Sequence, residues 1–197
     1  MKLSEGCGLK NLNKFFFLFF ILYSNTLVAL ERWNVSNAES SIKFSIKVLF
    51  AEDVLGEFSK FSGFVEVDRK NFEGTANFEI DISSISTNYD FDYKDLIRGE
   101  MFFDIKTFKK ATLQTKDFLI NRDNTAQAVA ELKIKGIGED IKIPLDYRLV
   151  NENRTEAKGS FIFKRTNFGI GSGIWSNTWI LKDDVKVDVN IVLKKSK

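Results

Sequence analysis

From residue 41 onward, apolar and polar residues trade places with a period of two, and this alternation limits the fold more than any other property of the chain. Ile42, Phe44, Ile46 and Val48 point one way while Lys43, Ser45 and Lys47 point the other, as in a strand with one buried face. The pattern recurs over 64–68, 74–82, 113–120 and 126–135, where Ala128, Ala130, Leu132 and Ile134 form the apolar stripe. It returns over 141–149, 157–164 and 185–193, the last with Val185, Val187, Val189, Ile191 and Leu193 on one side. Turn signals such as "DRKNFEG", "NRDNT" and "KGIGED" separate the stretches. The spacing predicts an all-β chain of eight antiparallel strands, closed into a barrel or stacked as a sandwich, since period two leaves both open. Only 90–110 breaks the pattern, and its helically spaced charges predict a short helix around 90–105 followed by irregular chain. Pro144 falls inside an otherwise regular strand, which puts that strand at an edge or a bulge, or turns the missing donor away from its neighbour.

Ahead of the strands, Lys2, Lys10 and Lys14 precede an apolar run from Phe15 to Tyr23 and then small polar residues, the order of a secretory leader. The run is shorter than the ~20 residues of a membrane-spanning helix. The expectation is a signal peptide over 1–29, removed after Ala29, and one domain over 30–197 in the periplasm or secreted. Removing 1–29 takes three Lys and one Glu from 29 basic and 27 acidic residues, leaving 26 of each. A formally neutral domain has no overall field for nucleic acid or an anionic membrane. Histidine is absent and the one cysteine, Cys7, lies in the leader. Ser-His-Asp and Cys-His catalysis, histidine-bound zinc, thiolate metal sites and disulfides each lose a required residue. No metal is therefore expected, and the core must hold the domain unaided.

The stretch "FKRTNFGIGSGIW" places Gly169, Gly171 and Gly173 at a spacing suggestive of a phosphate loop. The segment after Gly173, "IWSNTWILKDD", is rich in β-branched and aromatic residues and lacks G-K-[ST], so the helix and lysine of a nucleotide site are missing. A bent loop between two strands fits better.

"FSGFVEVD", "DISSISTN", "GEMFFDIKTFKKATL", "LKIKGIGEDIKIPLDYRL" and "FIFKRTNFGIG" succeed one another in the order of the YceI-like family, which the chain resembles over most of 30–197. Gly99 to Leu113 and Arg165 to Gly169 carry the most specific likeness. Asn167 and Lys110 depart from the family's usual Asp and Pro, and the His that some relatives carry after the position of Asn88 is missing. The resemblance implies an extended, lipocalin-like eight-stranded antiparallel barrel of exported bacterial proteins, whose apolar cavity holds a long isoprenoid, quinone-like or similar amphiphilic lipid and needs no other cofactor.

On that basis Phe44, Ile46, Phe78, Ile80, Leu132, Ile134, Phe161 and Phe163 either line a ligand tunnel or meet and fill the barrel. Phe103 from the insertion joins them as a candidate. Trp175 and Trp179 either cap the cavity or pack on the core, at a mouth expected near the 90–110 insertion or the glycine loop. Arg165 is expected to pair with a carboxylate such as Asp104, or else to meet a lipid headgroup. A binding protein or carrier without catalysis is the first reading, and a structural or protein-interaction barrel with a packed interior is the alternative; a homodimer is open in either case. A carboxylate enzyme using Asp183 and Asp184, or Asp90, Asp92 and Asp95, ranks last, because adjacent strand residues face opposite ways.

Overall fold

The computed structural model describes residues 30–196; the leader expected over 1–29, with Cys7, lies outside them. Among the described residues eleven strand segments run in chain order, beginning with β1 (Glu31–Val35), β2 (Ser41–Val48), β3 (Val54–Phe58), β4 (Phe61–Asp68), β5 (Glu73–Asp81) and β6 (Ile85–Thr87). After the helix α1 (Asp90–Arg98) come β7 (Lys110–Ile120), β8 (Thr125–Ile134), β9 (Ile137–Asn151), β10 (Arg154–Lys164) and β11 (Leu181–Lys195). All pairings are antiparallel, and the ring β1-β4-β5-β7-β8-β9-β10-β11 closes through β11 against β1. β2, β3 and β6 continue β1, β4 and β5 beyond bends, with β2 on β11 and β3, and β3 on β6. Eight staves thus form the closed barrel, and the first three are each broken once.

The three breaks lie side by side and are stitched by short polar side chains. Asn37 donates from Nδ2 to the Ser59 carbonyl at 2.9 Å, and its Oδ1 accepts from the Phe61 amide at 2.7 Å. The Lys60 amide donates to Ser84 Oγ at 3.0 Å, and the Val192 amide to Ser40 Oγ at 2.9 Å. Such residues offer the backbone a local partner in place of the ladder, which is why the strands stop there. The period-two reading takes each of these staves on one side of its bend only, so it misses β1, β3 and β6.

Pro144 marks a further interruption. β9 pairs with β8 along Ile137 to Asp146, but with β10 only from Leu145 onward, where Leu145 faces Gly159. The Pro144 carbonyl lies on the Gly159 side, 2.8 Å from where a Cβ on that glycine would stand. In a strand the N–H and C=O of one residue face the same neighbour, so the missing donor faces β10 and the ladder ends there. The expected edge character is therefore local, confined to the lid-side halves of β9 and β10.

Connections at the two ends of the barrel differ in length. One, the turn end, carries the short turns 69–72, 121–124 and 152–153; the other, the lid end, carries α1 with 99–109 and the glycine segment 165–180. The expected helix is thus real and short, and the chain after it folds back on itself: the Phe103 amide donates to Ile97 O at 3.2 Å and the Asp104 amide to Gly99 O at 2.8 Å. Core residues form one cluster from Trp33 through Phe44, Ile80, Leu132 and Val187 to Phe168 and Ile170 beneath the lid.

Candidate ligand cavity

Inward-facing residues of all eight staves surround a cavity of about 730 Å³ that runs from the turn end to the lid end, within the range of small-ligand pockets. An eight-stranded barrel has just enough width for side chains or one slender ligand. Here small residues leave the space open: Ala76, Ala111, Ala126 and Ala128 line it among Phe44, Phe78, Phe118, Phe161 and Phe163. Phe44, Ile46, Phe78, Ile80, Phe103, Leu132, Ile134, Phe161, Phe163 and Trp175 all line the cavity. Trp179 does not: it stands in the loop before β11, with 65% of its surface exposed. Leu113, Leu145, Val185 and Val187 also line it and are signalled by the same alternation. Trp33 on β1, Tyr93 on α1 and Phe102 in the loop after α1 line it too, from segments without that pattern.

The lid is organised around Arg165, which has no exposed surface. Its Nε donates to Lys182 O at 3.0 Å and its Nη2 to Leu181 O at 2.8 Å, while Nη1 donates to Ile170 O at 2.9 Å and Gly171 O at 3.3 Å. This corrects the expected pairing with Asp104: the guanidinium is satisfied by four carbonyls on two segments. Burial lowers its pKa below the ordinary arginine value, with Asp183 opposing. Gly171 adopts φ +76°, and a Cβ there would fall 2.3 Å from Arg165 Nη1. The glycine loop therefore supplies two carbonyls of a cage for an arginine, those of Ile170 and Gly171, and Gly171 leaves the room its guanidinium occupies. Residues Arg165–Phe168 and Gly173–Ser176 form two short 3₁₀ turns, and no helix comes after them to receive a phosphate.

The insertion and the glycine loop are tied together. Both the Gly171 and Ser172 amides donate to Met101 O, at 2.7 and 2.8 Å, and Lys135 Nζ donates to Glu100 O at 3.0 Å and Gly169 O at 2.9 Å. Phe102 meets Trp175 edge-on at 5.8 Å, and Phe163 meets Phe168 at 5.2 Å, arrangements aromatic rings favour. Asp183 accepts from the Thr166 amide and hydroxyl at 3.1 and 2.8 Å, and Asp184 pairs with Lys164 at 3.2 Å. Asp183 thus joins the lid to β11, and Asp184 ties β11 to β10. Asp95 is exposed on α1, and the side chains of Asp90 and Asp92 lie outside the description. Among the described residues no three His, Cys, Asp or Glu are placed to hold a metal ion.

The chain matches the model of the YceI-like domain over residues 33–193. Burkholderia cenocepacia BcnA is similar in structure at 29% identity and a TM-score of 0.73, over 80% of this chain and 98% of that one. A polyisoprenoid binding domain from Saccharophagus degradans, implicated in plant cell wall breakdown, is similar at 16% identity and a TM-score of 0.66, over 85% and 100% of the two chains. The Campylobacter jejuni YCEI protein is similar at 19% identity and a TM-score of 0.67, over 77% and 90%. No curated protein matches the chain.

Proposed function

The chain belongs to the YceI-like domain family, and from that premise we propose that it is an exported binding protein or carrier for a long isoprenoid or similar amphiphilic lipid. The observation that carries this reading is the apolar cavity of about 730 Å³ along the barrel axis. Each methylene moved from water into such a lining contributes about 0.8 kcal/mol before the costs of association. A long chain therefore binds without a charged anchor, and a slender one suits a bore this narrow. The polyisoprenoid binding of the Saccharophagus domain supports the choice of lipid class. Export rests on the basic-then-apolar order of residues 2–23. Catalysis has no part in the reading, because no histidine or cysteine is available to the mature chain, Asp183 holds Thr166 of the lid and Asp184 is paired with Lys164. A packed structural barrel fits poorly with so large a cavity. Organic extraction of the purified mature protein, with mass spectrometry of the extract, tests the proposal: a lipid in near-stoichiometric amount supports it, and a clean extract from protein that also refuses added isoprenoid refutes it.

A further inference from the structure

The cavity is not equally polar along its length. Among the described residues its only charged lining members, Asp68 and Arg69, stand at the turn end, with Asn124 and Thr155 beside the same mouth. Two turns meet there. The Ile120 amide donates to Phe72 O at 2.9 Å, and Arg122 lies over the Phe72 ring with its guanidinium carbon 5.0 Å from the centroid. Phe72 and Asn124, both lining residues, hold left-handed backbone at φ +60° and +67°, a conformation Asn adopts readily and Phe seldom does.

Most of the charge at this mouth is already engaged. Asp68 accepts from the Lys70 and Asn71 amides, Asp123 accepts from Thr125, and Arg69 pairs with Glu31 at 2.8 Å. Arg122 and Lys70 remain: both are exposed, and neither makes a side-chain hydrogen bond or ion pair among the described residues, but only Arg122 is seated on a lining ring, that of Phe72; the exposed Asn124 side-chain amide is unpaired as well. Across the barrel the two innermost lid-end cations, Arg165 and Lys135, are bound to backbone carbonyls, and Lys94 stands exposed on the outside of α1. A free, planar set of donors seated on a ring at the charged mouth suits an anion with several acceptor oxygens.

We propose that Arg122 and Asn124 hold the polar end of the bound lipid, that this end is an anionic headgroup, and that the chain runs inward towards the lid. The proposal rests on the lipid-binding reading and adds the direction and charge of the ligand.

Binding of geranylgeranyl phosphate and geranylgeraniol, which share one chain, tests it by Trp fluorescence or competition with a fluorescent lipid. The wild-type protein is expected to bind the phosphate at least about tenfold more tightly than the alcohol, a ratio typical of one charge-assisted hydrogen bond. Arg122→Glu abolishes that preference by weakening the phosphate more than the alcohol, whereas Lys94→Glu on α1 at the lid end leaves both as they were. Equal wild-type affinities overturn the inference and leave lipid binding standing. Loss of the preference in Lys94→Glu, or its survival in Arg122→Glu, overturns the site. Failure of both compounds to bind the wild-type protein overturns the lipid-binding reading itself, and the inference with it.

Discussion

Replacing Arg165 by Met keeps an apolar stem of similar length and removes every donor of the guanidinium. Four carbonyls then lose a partner, those of Lys182, Ile170, Gly171 and Leu181, and the bonds to the last three are fully buried. An acceptor stranded away from water costs about 1–3 kcal/mol. Relaxation of the glycine loop lets water reach some of them, so the sum settles near 3–5 kcal/mol, the size seen when one side of a buried charged network is removed. With a urea m-value of about 2 kcal/mol/M for a domain of this size, the unfolding midpoint falls by about 2 M. Arg165→Lys recovers less than half of this, because one ammonium cannot reach carbonyls on two segments as a planar fork does. Circular dichroism during urea titration reads both variants. A fall in midpoint below about 0.5 M for Arg165→Met, with an unchanged slope, refutes the carbonyl cage as the anchor of the lid.

Gly171→Ala puts a Cβ against Arg165 Nη1 at a backbone φ of +76°, so thermal unfolding should show a loss of about 1–2 kcal/mol from the left-handed conformation alone, and more as the guanidinium is displaced. Ala128→Trp projects an indole into the bore from β8, where Ala128 faces Phe118 and Ile143 on the neighbouring strands; lipid uptake should fall at least about tenfold with the circular dichroism spectrum intact, and unchanged uptake counts against an axial ligand. Glu39 is held by Arg154, Lys194 and Ser36, which bring its carboxyl from the ordinary 4.5 down to about 2. A depressed carboxylate contributes stability above its unfolded pKa and loses it as pH falls towards the folded one. Melting temperature should therefore drop between about pH 4.5 and 2, and Glu39→Gln should flatten that part of the profile.

The eight staves are legible because each carries a run of alternating residues long enough to show its period, as in 126–134 and 185–191. β1, β3 and β6 span five, five and three residues, too few for a period to stand out, although Asn37, Ser59 and Ser84 at the bends are ordinary turn residues. All of the candidate lining residues except Trp179 reach the cavity, because inward direction comes from alternation, or from neighbourhood to a stave. Trp179 shows the limit: a large aromatic ring carries no direction when it sits in a loop. Arg165 shows another, since residue type favours a carboxylate partner, while a cage of carbonyls depends on backbone angles that only the folded glycine loop supplies. The meeting of Arg122 with Phe72 needs the β5–β7 register, and no local pattern contains it. Whether the bore is filled depends on the sum of side chains across eight staves, which strand-by-strand reading does not add up.

Native mass spectrometry of the protein, purified from its own cell and released from any bound molecule in the gas phase, tests the central claim most directly. The expected result is one isoprenoid-type lipid per chain, with an anionic polar end. Protein that flies bare and stays bare after incubation with prenyl phosphates and prenyl alcohols contradicts it.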